Sequence, residues 1–327
     1  DQPKAGPWIW ERKYELDSLC HVFLLALRYG EVTGRTAFMD DVFFSAAEKM
    51  MEIIETEQQH EQKSAYRFQR FNCPPSDTLK REGRGTPVAY TGMSWSGFRP
   101  SDDACEYGYF IPANLFAAVM LERFAPVAEK LGHAELGARA RRLAAEIRRG
   151  IEKFGLVKTE EFGEIYAYET DGMGHYRLMD DANIPSLLSL PYLGICRADD
   201  PLYQRTRAFV LSRQNPYYFE GSAAKGVGSP HTPENFIWPI ALCVQGLTAA
   251  EPKERAELLH TLLTTHADTA RMHESFNKDD PSAFTRSWFA WANSMFGELV
   301  MQMYEQGELE DAVQHLLDKG IKVIKCV

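Results

Sequence analysis

Residues 136–154, LGARARRLAAEIRRGIEKF, decide the fold class. Leu136, Ala140, Leu143, Ile147, Ile151 and Phe154 recur every three or four positions, and Arg139, Arg141, Arg142, Arg148 and Arg149 take the opposite arc. That is the period of an amphipathic helix with one buried stripe. The same period runs over 14–29 and 37–55, the second through Phe43, Ala46, Ala47, Met50, Ile53 and Ile54, and the intervening GEVTGRT suits a hairpin turn. Further helices are predicted over 112–124, with Pro112 in a first-turn position, and over 183–193, 201–212, 233–247, 252–267, 284–304 and 309–319. Strand signals are confined to TPVAYTG (86–92) and EIYAYET (164–170). A helix-hairpin rhythm of roughly 40–50 residues predicts an all-α toroid or solenoid of helical hairpins, with small β-hairpins in its loops. Residues 1–327 read as a single body, with the polar loops gathered on one functional face.

The 327 residues are 45% apolar and 25% charged, enough for a large core. The net charge of −10 repels a phosphate backbone, so nucleic acid is not an expected partner. No apolar run reaches the roughly 20 residues of a bilayer span; HVFLLALRYG is short and broken by Arg28, so no membrane partner and a soluble protein are expected. The opening DQPKAGPWIW has neither Met nor a charged-then-apolar leader, and reads as a processed terminus or the edge of a truncated chain. Cys20, Cys73, Cys105, Cys196, Cys243 and Cys326 lack metal-ligand spacing and read mostly as buried thiols. Free thiols lean towards the cytoplasm, with secretion the alternative. No GxGxxG, P-loop, HExxH or GxSxG occurs, and no cofactor is expected.

Four loop segments combine carboxylates with aromatics: SWSGFRPSDDACEYG (94–108), GHYRLMDDAN (174–183), GSPHTPENFIW (228–238) and RMHESFNKDDPSAFTRSWFAWAN (271–293). Aromatic faces pack on pyranose C–H surfaces while carboxylates and Arg bond hydroxyls, so the combination suits a sugar site. Taken singly, Asp102 or Asp181 could equally cap a helix. Glycoside hydrolysis needs one protonated and one ionised carboxyl group. Asp102 or Asp103 is the candidate acid: mutual repulsion and aromatic neighbours favour the proton, and Arg99 opposes it. Glu274 in HESF is the candidate base. A rival reading takes Asp102, Asp103 and Glu106 as the DDxxE by which prenyl diphosphate enzymes hold Mg²⁺. That match lies in a Gly/Pro turn and has no second metal motif. Asp40-Asp41 reads as a helix start and Asp199-Asp200 as a turn.

Together GMSWSGFRPSDDACEYGY (92–109), ERKYELDSLC (11–20), MDDANIPSLLSLPYLG (179–194) and MHESFNKDDPSAFTRSWFAWAN (272–293) resemble glycoside hydrolase family 125, the metal-independent exo-α-1,6-mannosidases, over essentially the whole chain. The resemblance implies an (α/α)6 barrel and inverting removal of a terminal α-1,6-linked mannose, without metal, from an N-glycan or mannan fragment. It puts the acid at Asp102, with Asp103 the alternative, and the base at Glu274. Asp17, Trp95, Arg99, His231, Glu234 and Arg286 become candidates for gripping sugar. Inversion requires the two carboxyls to stand about 6.5–9.5 Å apart. The family's N-terminal Trp-Leu-Arg-Asp-Ser-type motif has no counterpart here, and the helices fall short of six hairpins. The resemblance therefore implies a chain lacking N-terminal hairpins, with a catalytically inactive glycan-binding toroid as the alternative.

Overall fold

Leu16, Cys20, Phe23 and Leu27 form the buried stripe of α1 (Leu16–Thr33), which Gly34 ends in the left-handed conformation, φ 67°, its N–H bonding Gly30 O. The computed structural model describes residues 3–318 and 320 and divides into two compact units. The first comprises residues through Glu160 with Glu164–Leu178; the second, Glu161–Gly163 with the residues from Met179 onward.

In the first unit, α2 (Asp41–Glu57) starts where expected because the Asp40 carboxylate accepts the N–H groups of Val42 and Phe43, both at 3.0 Å. Asp40→Ala is expected to cost about 1 kcal/mol, read as a lowered urea midpoint at unchanged slope. The single turns α3 (His60–Lys63) and α4 (Lys80–Gly83) and strand β1 (Tyr109–Phe110) lead into α5 (Ile111–Lys130). This helix has Pro112 in its first turn and is buried on nearly every side. By length and composition it could cross a membrane, contrary to the expectation that no run is long enough, but 78% of its apolar window is buried within the fold. It packs along α6 (Ala134–Phe154) and against α1. The arginine face of α6 carries paired side chains, with Arg139 holding Glu55 through two hydrogen bonds of 2.8 and 2.6 Å. After β2 (Leu156–Thr159) and its partner β3 (Gly163–Tyr166), β4 (Glu169–Thr170) forms the middle strand between β1 and β5 (Tyr176–Arg177).

The second unit holds α7 (Pro201–Val210), the hairpin β6 (Tyr218–Glu220) and β7 (Lys225–Val227), then β8 (Phe236–Ile237), α8 (Pro239–Leu247) and α9 (Pro252–Thr264). β9 (Ser275–Asn277) lies between β8 and β10 (Phe284–Thr285), and α10 (Ala290–Glu305) and α11 (Leu309–Asp318) follow. α8 packs on α9 and α10. Lys319, the expected end of the last helix, and Cys326 lie outside the described residues. Cys20, Cys105 and Cys243 are buried free thiols, and Cys73 and Cys196 are partly exposed.

Four expected elements differ. The stretch 183–193 is a series of turns. Its N–H groups at Leu187 and Leu188 are taken by the Asp180 carboxylate at 2.8 and 2.9 Å instead of by helical carbonyls, and Pro185 and Pro191 have no N–H to give. Residues 86–92 form an extended loop without a ladder, and 233–238 and 284–289 enter strands β8 and β10 before their helices begin.

Candidate active site

In the first unit, residues 94–107 form a bonded turn. Ser94 is fixed on α5 by Asn114, whose amide accepts the Ser94 N–H at 2.8 Å and donates to its carbonyl at 2.9 Å. Trp95 is 1% exposed, stacked on His60 at 3.8 Å, and pressed so closely on Gly108 that a Cβ there would lie 2.1 Å from the indole. The expectation that Trp95 faces sugar is corrected: its ring belongs to the core. The turn closes where Arg99 N–H donates to Asp103 O at 2.8 Å and Asp102 N–H to Arg99 O at 2.9 Å. This leaves Asp102 at φ 68°, a left-handed conformation that Asp adopts more readily than most residues.

The two aspartates have different surroundings. The Asp102 side chain is 54% exposed, with Lys13 Nζ 2.8 Å from its carbonyl oxygen and 4.0 Å from Oδ1. Asp103 is buried. Arg99, also buried, commits its Nε to Glu169 at 2.6 Å. Glu106, the last residue of the DDxxE match, sits beside Arg177 at 3.4 Å, and the whole match lies on a turn instead of a helix face. Asp17, in the first turn of α1, is buried with an Oδ1 that meets no hydrogen-bond donor. Burial, reinforced by the charge of Glu15, holds the Asp17 carboxyl well above the usual range. Burial likewise pushes Glu15 up to about 7, the Ser18 hydroxyl opposing and the charge of Asp102 adding to the rise. Glu15 thus stands within electrostatic reach of Asp102.

In the second unit, Glu274 precedes β9 and is buried, its Oε1 3.1 Å from Nε of Arg286. Arg286 takes φ 40°, lies over the Phe289 ring at 5.7 Å and remains 62% exposed at its side chain. The β9–β10 pairing brings these two residues together, and the hydroxyls of Ser275 and Thr285 meet at 2.7 Å beside them. His273 stacks on Phe284 at 3.8 Å, is flanked by the carbonyls of Ser287 and His266, and is buried. His231 and Glu234 are exposed on the loop before β8, and His231 meets the edge of Trp238.

Residue-by-residue reading passed over Glu15, Glu169 and Asp180, and weighed Asp181 only as a helix cap. Asp181 is buried and accepts the Asn183 side-chain amide at 3.1 Å. Asp180 is pushed up to about 8 by burial, its two backbone N–H donors opposing. The native state thus binds a proton that the unfolded chain releases near the ordinary carboxylate range, so Asp180 makes stability fall as pH rises from about 4 to about 8. Urea midpoints across that window should decline less steeply for Asp180→Asn than for the parent; equal slopes would contradict this reading.

The model of a family described as metal-independent alpha-mannosidase (GH125) matches residues 1–301. The meiotically up-regulated gene 157 protein of Schizosaccharomyces pombe is 40% identical over 322 residues, covering 95% of this chain; the chain spans 62% of that relative's length. A solved metal-independent alpha mannosidase of Streptococcus pneumoniae, in a non-productive complex with alpha-1,6-mannobiose, is 44% identical with a TM-score of 0.90, covering 92% of this chain and 71% of that one. A bacterial glucoamylase complexed with acarbose, 13% identical, shares the fold alone, with a TM-score of 0.59 over 93% of this chain and 43% of its own. The expected (α/α)6 class of helical hairpins is the fold of this chain.

Proposed function

The chain belongs to the metal-independent α-mannosidase family, glycoside hydrolase family 125, and from that premise we propose that it is an inverting exo-α-1,6-mannosidase. The observation that carries the reading is its likeness to the Streptococcus pneumoniae mannosidase, at 44% identity, whose complex holds alpha-1,6-mannobiose. The substrate is a non-reducing terminal α-1,6-linked mannose on an N-glycan or mannan fragment.

Asp102 acts as the acid. Its carboxyl reaches solvent, and hence a bound sugar, from a turn fixed by backbone hydrogen bonds, whereas the Asp103 carboxyl is enclosed. Asp102 gives its proton to the glycosidic oxygen as the C1–O bond breaks. Glu274 takes a proton from the water that attacks C1 from the opposite face, and β-mannose leaves. Asp17, Arg286, His231 and Glu234 are the candidates for holding hydroxyls, and Arg99 serves the turn through Glu169. Mannose release from α-1,6-mannobiose, against the α-1,2 and α-1,3 isomers and with EDTA present, tests the specificity. Release confined to the α-1,6 isomer and unaffected by the chelator supports it; equal release from all three removes it.

One observation favours a second reading, a helical body that binds glycans without turnover: Glu274 is already engaged by Arg286. Calorimetric binding of mannobiose with no release of mannose would select that reading.

A further inference from the structure

A single buried carboxylate fastens both ends of the turn that carries Asp102. Glu169 is 0% exposed and sits at the middle of the β1–β4–β5 sheet, its backbone paired with Phe110 on one side and Arg177 on the other. Its Oε1 accepts Arg99 Nε at 2.6 Å, three residues before Asp102. Its Oε2 accepts the backbone N–H groups of Glu106 at 2.9 Å and Tyr107 at 3.0 Å, four and five residues after it. A cavity of about 250 Å³ adjoins the same turn, lined by Ser76, Arg99, Ala104, Cys105, Glu106 and Arg177. Beside that cavity the hydrogen bonds to Glu169 add to the packing of the buried Phe98, Asp103 and Cys105 in holding the turn.

We infer that Glu169 is a positioning residue for the general acid: its two oxygens clamp the start and the end of the Asp102 turn and set where that carboxyl stands. The inference rests on the reading of Asp102 as the acid. A carboxylate suits the task because every partner is a donor. Gln has one carbonyl oxygen, so it turns an NH₂ group towards either the guanidinium or the two amides and releases one end of the turn. Ala would leave Arg99 buried without its counter-charge, which threatens the fold itself.

The test compares Glu169→Gln, Glu169→Asp, Asp102→Asn and the parent on two substrates. α-1,6-Mannobiose has a leaving oxygen that needs acid assistance; a dinitrophenyl α-mannoside does not. Displacing the acid by about an ångström predicts a loss of roughly 100-fold in kcat on mannobiose for Glu169→Gln. KM should stay within about threefold, and the loss on the aryl mannoside should be much smaller. Glu169→Asp, which keeps the anion, should give an intermediate kcat. A role confined to stability would lower the denaturation midpoint and reduce both substrates alike. That outcome, or parent-like kcat on mannobiose, overturns the inference provided Asp102→Asn shows the leaving-group-dependent loss. If Asp102→Asn lacks that signature, the assignment of the acid fails first and the inference falls with it.

Discussion

Glu274→Gln is expected to lower kcat on α-1,6-mannobiose by roughly 10²–10⁴-fold, the range a positioned acid or base contributes. The amide cannot take the proton of the attacking water, while side-chain volume and the strand pairing around it are retained. The substitution removes the partner of Arg286, but that guanidinium is 62% exposed and water replaces the lost contact. Glu274 itself is buried, but the amide leaves no uncompensated charge there, so stability should change by no more than about 1–2 kcal/mol. A large fall in kcat with a preserved denaturation midpoint and a KM near that of the parent separates chemistry from folding. Near-normal turnover would remove Glu274 from the mechanism.

Asp102→Asn and Asp103→Asn should part company. At Asp102 the side chain is exposed, so the substitution leaves the fold intact and lowers kcat on mannobiose by roughly 10²–10⁴-fold, with far less effect on an activated aryl mannoside. At Asp103 the carboxyl is buried, and the expected result is chiefly a stability loss of about 1–3 kcal/mol from a disturbed buried polar group. The reverse pattern would make Asp103 the acid.

The helices that bury one clean stripe were legible in the sequence. In α6 the arginines mark the outer face; in α5 Pro112 marks the start, although the helix is buried on nearly every side and runs six residues past its expected end. Periodicity failed at 183–193, where Leu187, Leu190 and Leu193 keep a helical spacing but Asp180 captures the N–H groups a helix would use. Trp95 was misread because WSGF stands among Gly, Ser and Arg, as surface loops do. Gly108, thirteen residues on, lets the backbone close over the ring and makes it core. The carboxylates were legible as a chemical set, and their partners were not. Glu169 reaches Arg99 across 70 positions, and Arg286 meets Glu274 only because two short strands pair. Pairings fixed by tertiary contact leave no periodic trace in the chain.

The configuration of the first-formed product tests the central claim most directly. Proton NMR of α-1,6-mannobiose hydrolysis, recorded before mutarotation and repeated with EDTA, should show β-mannose rising first at a rate the chelator does not change. α-Mannose as the first product would contradict direct attack by a Glu274-activated water and require a retaining route.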